Sequence, residues 1–341
     1  MEAKAVEKAA VVGSTSWGTV LAVLLARGGL PVSLLAFDEA DAEALRRDRE
    51  NVRLQPGLPF PPSLMVTLER REALAEAGLL VIVVPSSTLR DNLRALRPHV
   101  APSTLVLSAV KGLEPDSGKR MSEIVREELP QLATPISVLS GPNLSREIAR
   151  GLPAASIIAC GDLPTAEKLG ALLMSPLFRV YTNEDVAGVE LAGALKNIIA
   201  IVAGMCDGLG FGDNAKAGIV TRGLAEIARL GVAAGARPLT FMGLAGVGDL
   251  MATCYSTLSR NHTVGVELAQ GKALDDVLAS LGQTAEGVVT TVAARDLSRR
   301  LGVEMPITEK LYEVLFEGLD PRRGVAELMG RRPKHELDGV R

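Results

Sequence analysis

The 341-residue chain is 47% hydrophobic and 23% charged, which gives it enough apolar material to fold and enough length for two ordinary domains. Its 40 acids nearly balance 37 bases, and no basic run stands out, which argues against nucleic acid or an anionic membrane as a partner. Residues 1–8 lack the basic start and long apolar stretch of a signal peptide, and the apolar run 77–85 is too short to span a bilayer, so no stable membrane insertion is expected.

Cys160, Cys206 and Cys254 are widely spaced and odd in number. They suit neither a disulfide framework nor a metal site, and a reducing, cytoplasmic setting is the simple reading. With only His99, His262 and His335, there is little room for histidine-based proton transfer. The chain uses 27 Arg against 10 Lys, yet keeps Lys111, Lys196 and Lys216 in small or apolar surroundings. Lysine, unlike arginine, can give up its proton when buried.

In chain order, strands are expected at 9–12, 32–37, 79–84, 104–108, 136–139, 154–159 and 179–181, several of them almost continuously apolar. Such runs suit strands covered on both faces, as in a parallel sheet. Helical patterns such as 17–27 and 119–129 lie between them, and the alternation predicts a Rossmann-like, mostly parallel, doubly wound α/β domain. After Thr182 the strands stop and Ala, Gly and Leu dominate long helical patterns, including 184–205 and 214–230, with Thr182 or Asn183 as a candidate cap. The division is therefore a dinucleotide-binding domain over 1–183 and an all-α substrate-binding domain over 184–341, with 330–341 expected to fray.

Five segments carry candidate chemistry. Val11-Val12-Gly13-Ser14-Thr15-Ser16-Trp17-Gly18 follows a strand and opens a helix, where backbone N–H groups can bind a pyrophosphate. Thr15 occupies the place of the usual middle glycine. Asp38, 20 residues past Gly18 at the end of the second strand, suits an adenine ribose diol or, equally, a helix cap. Lys111 and Gly141-Pro142-Asn143 follow strand ends, where open α/β sheets place ligands. Taken alone, Lys111 reads better as a solvated loop lysine. Lys196, within Gly193-Ala194-Leu195-Lys196-Asn197-Ile198-Ile199, is either a desolvated acid/base or a snorkelling side chain. Gly243 to Asp249, then Ser259-Arg260-Asn261, join glycine-rich backbone to charged groups near two helix starts, which suits a phosphomonoester; the alternatives are an N-cap for Asp249 and a surface charge for Arg260.

The order and spacing of these blocks, with Asp207-Gly-Leu-Gly-Phe-Gly-Asp-Asn214-Ala-Lys216 between them, resemble bacterial-type NAD(P)-dependent glycerol-3-phosphate dehydrogenases over nearly the whole chain. The resemblance implies interconversion of dihydroxyacetone phosphate and sn-glycerol 3-phosphate with NAD(H) or NADP(H), supply of glycerol phosphate for phospholipid synthesis, and a homodimer. It implies Lys196 as acid/base; Lys111, Gly141, Asn143, Lys196, Asp249, Ser259, Arg260 and Asn261 at the substrate; and Gly13, Ser16, Trp17, Gly18, Phe37, Asp38, Lys111, Ser145, Arg260 and Glu286 at the cofactor. No metal is implied. The chain departs from the family's usual residues at Thr15, Phe37 (commonly basic), Asn143 (commonly Ser or Thr), Ser145 (commonly Ala) and His262 (commonly Arg). Uncharged Phe37 beside Asp38 leads to the expectation that NADH serves at least as well as NADPH. Two other readings share the architecture: a β-hydroxyacid dehydrogenase, which would read a carboxylate, and a non-catalytic NAD(H)-binding protein.

Overall fold

The computed structural model describes residues 6–281, 285–332 and 335. Most of the expected frayed tail lies outside these residues. The chain divides into two compact units, one comprising the chain up to Val110 with Met121–Val186, the other Lys111–Arg120 with the chain from Ala187 onward.

The first unit is built on an eight-stranded sheet: β1 (Ala9–Val12), β2 (Val32–Leu35), β3 (Leu64–Thr67), β4 (Leu79–Ile82), β5 (Leu105–Ser108), β6 (Ile136–Ser140), β7 (Ala154–Ala159) and β8 (Phe178–Asn183). Their order is β3-β2-β1-β4-β5-β6-β7-β8. Pairings are parallel except β6 with β7. Its helices are α1 (Ser16–Arg27), α2 (Glu39–Asp48), α3 (Arg70–Leu74), α4 (Leu89–Leu96), α5 (Met121–Glu128), α6 (Ser145–Ala149) and α7 (Leu163–Leu173).

The apolar strands are buried on both faces because successive side chains alternate between two cores. Val11, Leu34, Val81 and Leu107 join Val20, Leu21 and Leu25 of α1 in one core. Ala10, Val12, Leu80, Ile82 and Val106 join Leu89, Leu93 and Leu96 of α4 in the other. The expected doubly wound, mostly parallel sheet is present. β1 lies between β2 and β4, so the chain reverses its direction of travel across the sheet beside β1. Open sheets bind ligands at the carboxyl ends of strands flanking such a point.

Several strand ends differ by one or two residues from the sequence expectation, and two differences bear on the site's surroundings. β3 was not expected: Leu64–Thr67 is four residues long, and its Met65 is exposed. β2 ends at Leu35 rather than at Phe37, because Asp38 immediately caps α2 by accepting the Asp41 backbone N–H at 2.8 Å.

The second unit is helical: α8 (Val186–Gly208, its first residue counted with the first unit), α9 (Gly212–Ala233), α10 (Asp249–Tyr255), α11 (Arg260–Ala269), α12 (Leu274–Leu281), α13 (Glu286–Leu301), α14 (Pro306–Phe316) and α15 (Pro321–Met329). Asn183 accepts the Asp185 N–H at 2.9 Å on the approach to α8. By length and hydropathy α8 could cross a bilayer, but 89% of its most apolar window is buried within the protein, as suits a core helix. Residues 111–120, which a division at 183 would leave with the sheet, instead pack with the helices. Arg120 pairs with the buried Glu190 of α8 at 2.8 Å, and Lys111 pairs with Asp249 of α10 at 2.6 Å.

Candidate active site

The proposed cofactor residues of the first unit gather around the β1–α1 turn. Gly13 has φ +105°, and a Cβ there would lie 2.5 Å from the Val83 carbonyl oxygen. Only glycine suits that combination. A Cβ on Gly18 would lie 2.0 Å from the Gly13 oxygen. Thr15, at the place of the middle glycine, is the N-cap of α1. Its Oγ1 accepts the Gly18 N–H at 2.9 Å and donates to the Val83 oxygen at 3.2 Å. The hydroxyl is thus turned into the protein. The turn still opens a helix of 12 residues, whose dipole and first N–H groups favour an anion.

Ser16 and Ser145 meet, with Oγ atoms 2.7 Å apart, and Gln55 joins them: Ser16 donates to its Oε1 at 2.5 Å, and its Nε2 donates to the Ser145 carbonyl at 3.3 Å. Trp17 packs against the sheet core, its ring 6.3 Å from that of Phe178, with Nε1 buried and without a partner among the described residues. Both amide atoms of Asn143, in the loop after β6 that begins at Gly141, are also buried without one. Orphaned buried polar atoms carry a desolvation cost, and a ligand would relieve it. The glycine-dependent turn and the start of α1 fit the pyrophosphate of a dinucleotide.

Phe37 is 48% exposed. Its backbone N–H donates to Asp41 Oδ2 at 3.3 Å, and Ser14 Oγ donates to the same carboxylate. Arg46 and Arg47, the nearest bases in α2, are engaged elsewhere. Arg46 donates to the Val66 oxygen at 3.1 Å and Arg47 pairs with Asp48 at 2.7 Å.

The second unit holds Lys111, Lys196, Asp249, Ser259, Arg260, Asn261 and Glu286. One buried carboxylate organises the first three. Lys196 Nζ donates to Asp249 Oδ1 at 2.5 Å, and Lys111 Nζ donates to Asp249 Oδ2 at 2.6 Å. Lys196 also donates to Thr253 Oγ1 at 2.5 Å, and Thr253 donates to the Asp249 carbonyl at 2.7 Å. Neither simple alternative applies: Lys196 does not snorkel, being 6% exposed, and Asp249, 2% exposed, makes no cap. Lys111 is not a solvated loop lysine, since it is paired and its side chain is only 19% exposed. Burial lowers the Lys196 ammonium from the ordinary lysine value to about 8, opposed by Asp249 and aided by the like charge of Lys111.

Around α11 the assignments divide. Ser259 is the N-cap, its Oγ accepting the His262 N–H at 3.2 Å. Asn261 is buried, and its Oδ1 accepts the Gly287 N–H at 3.0 Å, so that oxygen serves the start of α13. Arg260 is exposed at the first position of α11, close enough to Glu286 to feel its charge. Sequence reasoning gave Thr253 and Gln55 no role. The i, i+4 spacing of Asp249 and Thr253 on one helix was the signal available for the first.

The NAD-dependent glycerol-3-phosphate dehydrogenase N-terminal and C-terminal family descriptions match residues 8–166 and 185–326. The chain belongs to this family. It is 48% identical to glycerol-3-phosphate dehydrogenase [NAD(P)+] of Desulfitobacterium hafniense, over 98% of this chain and 94% of that one. The corresponding Nitratidesulfovibrio vulgaris enzyme is 49% identical over 96% of this chain and all of its own length. Among solved structures, glycerol-3-phosphate dehydrogenase from Coxiella burnetii superposes with a TM-score of 0.92 at 36% identity, covering 95% of this chain and 99% of that one. Membership bears out the reading of the chain as an NAD(P)-dependent oxidoreductase acting on a CH–OH group. It displaces the β-hydroxyacid dehydrogenase alternative.

Proposed function

We propose that the chain interconverts dihydroxyacetone phosphate and sn-glycerol 3-phosphate, with Lys196 as the acid/base. The observation that carries the reading is the buried Asp249 carboxylate shared by Lys196 and Lys111, with Thr253 beside it. The reduced nicotinamide cofactor, when bound, supplies the hydride to the substrate's C2.

An ammonium has three N–H donors. Lys196 spends one on Asp249 and one on Thr253, which leaves the third for the carbonyl oxygen of the substrate. As that oxygen gains negative charge, a nearby, already oriented ammonium stabilises it and then donates a proton. With its proton affinity lowered to about 8, Lys196 gives up this proton more readily than an ordinary lysine, and its neutral form takes one back in the reverse direction. Asp249 holds the lysine in place, and Lys111 adds a second positive charge beside the same oxygen.

Arg260 and the first turn of α11 bind the phosphate, spending remote binding energy on orientation. Asn261 contributes its amide N–H₂, since its oxygen is already engaged. Gly141 and the unpartnered amide of Asn143 line the substrate. Gly13, Ser16, Trp17, Gly18, Phe37, Asp38, Ser145 and Glu286 serve the cofactor, joined by Lys111 and Arg260. The pathway role is glycerol phosphate supply for phospholipid synthesis in the cytoplasm, by a homodimer.

The test follows NADH and NADPH absorbance with dihydroxyacetone phosphate and with small keto acids. Turnover confined to the phosphorylated ketone is expected. Binding of NAD(H) without turnover of any ketone would favour the non-catalytic alternative and overturn the proposal.

A further inference from the structure

A second cluster of titratable groups lies in the helical unit and takes no part in the chemistry above. Asp207, in the last turn of α8, places Oδ2 2.7 Å from His262 Nε2 on α11 and 2.6 Å from Lys216 Nζ on α9. Lys216 also lies 4.5 Å from the ring centroid of Tyr255, at the end of the helix that carries Asp249 and Thr253. Side chains from α8, α9 and α11 therefore meet at one carboxylate, and one from α10 packs on its lysine partner. Burial raises the Asp207 carboxyl, but its hydrogen bonds and electrostatic interactions with Lys216 and His262 outweigh this and hold the group below its ordinary value.

The same two helices, α8 and α11, touch backbone to backbone nearby. A Cβ on Gly204 would lie 2.0 Å from the His262 carbonyl oxygen, and a Cβ on Gly265 would lie 1.9 Å from the Ile201 oxygen. A crossing made by glycines has few interlocking side chains, so it fixes the distance between helices better than their rotation about the contact. A directional hydrogen bond one turn away supplies the missing constraint. Asp207–His262 is the hydrogen bond so placed, and Arg260 and Asn261 belong to the same first turn of α11 as His262.

We infer that Asp207 and His262 are positioning residues: their contact sets the first turn of α11 against α8, and thereby the distance from Arg260 and Asn261 to the Lys196 ammonium. Its function is to match that distance to a substrate carrying a phosphate at one end and a ketone near the other. The inference rests on the reading of Arg260 as a phosphate ligand.

The experiment compares steady-state kinetics of the full chain and its variants on dihydroxyacetone phosphate and on unphosphorylated dihydroxyacetone, with NADH. His262→Leu fills the buried space but removes the contact while leaving Asp207–Lys216 in place. It is expected to raise KM for the phosphorylated ketone by about five-fold or more, with kcat and KM for NADH within about two-fold. Turnover of dihydroxyacetone is expected to be unchanged. His262→Gln, which keeps an N–H donor, is expected to recover most of the loss. Thermal unfolding reports the fold; should His262→Leu not fold, His262→Met, which also removes the contact and leaves Asp207–Lys216 in place, carries the same comparison. A wild-type KM, an equal loss on both ketones, or a His262→Gln variant as impaired as His262→Leu would overturn the inference. Arg260→Gln run alongside separates the two readings. If it leaves KM for the phosphorylated ketone unchanged, the phosphate assignment fails and takes this inference with it. If it raises that KM while His262→Leu does not, only the positioning role fails.

Discussion

Lys196 and Asp249 form a buried pair, Nζ to Oδ1 at 2.5 Å, in which the acid's second oxygen is already held by Lys111 at 2.6 Å. Two ammonium groups thus share one carboxylate, and deep burial lowers the Lys196 ammonium to about 8.

That value gives the pH dependence a sign. Ketone reduction needs the protonated lysine, so its kcat is expected to fall as pH rises through about 8. Alcohol oxidation needs the neutral amine and is expected to gain over the same interval. Initial rates in both directions from pH 6 to about 10 measure this. Lys196→Ala is expected to fold and to lose about two to four orders of magnitude in kcat, with no remaining inflection near pH 8. Near-wild-type turnover in that variant would remove Lys196 from the mechanism.

Asp249→Asn keeps the shape of the side chain and removes its charge. The carboxylate is what raises the Lys196 value against burial and the repulsion of Lys111. Its loss is expected to move the reduction profile to lower pH by about one unit or more. At neutral pH the kcat for reduction is then expected to drop by about two-fold for a one-unit shift and about ten-fold for a two-unit shift, because less of the lysine is protonated. An unmoved profile would mean that Asp249 does not set the lysine's charge.

The sheet was largely legible in the sequence because strands buried on both faces are continuously apolar, as in Leu79–Ile82 and Leu105–Ser108. β3 was not, because it follows two prolines and exposes Met65, so it carries neither a long apolar run nor a clear signal of a buried strand. The antiparallel turn between β6 and β7 was not readable either, since apolar runs carry no direction. At the site, Lys111 is 138 residues from Asp249, and Lys196 is 53. Local pattern favoured a solvated Lys111, and the partner that keeps it part-buried lies on a helix no local pattern could connect to it. Resemblance grouped these residues, and their shared carboxylate gives a physical reason for the grouping.

Thr15 tests whether the altered turn serves the fold or the cofactor. Its hydroxyl both caps α1 and reaches the Val83 oxygen. Thr15→Val keeps the volume and loses both hydrogen bonds. It is expected to cost about 1–2 kcal/mol of stability, measured by denaturant unfolding. Because the hydroxyl faces inward, KM for NADH is expected to stay within about two-fold. A large rise in that KM with unchanged stability would place the hydroxyl on the cofactor instead.

Cofactor choice turns on the residues that follow β2. The 2′-phosphate of NADP needs a cation near the end of β2. There the protein offers Phe37, followed by Asp38, whose carboxylate caps α2, and by Asp41, which accepts from Ser14 and from the Phe37 backbone. Arg53 lies 3.7 Å from Asp41 and is offset by it, while Arg46 and Arg47 are engaged with Val66 and Asp48. The local field therefore disfavours an additional phosphate. NADH is expected to serve at least as well as NADPH in kcat/KM. Phe37→Arg introduces a guanidinium at a half-exposed position and is expected to shift the ratio toward NADPH by about ten-fold, the worth of one charge-assisted contact. The change should appear in KM for NADPH, leave kcat with NADH nearly intact, and shrink as salt is raised, because an exposed ion pair is screened. A wild-type enzyme strongly selective for NADPH would show that another cation reads the 2′-phosphate, and Arg53→Ala would then be the variant that loses it.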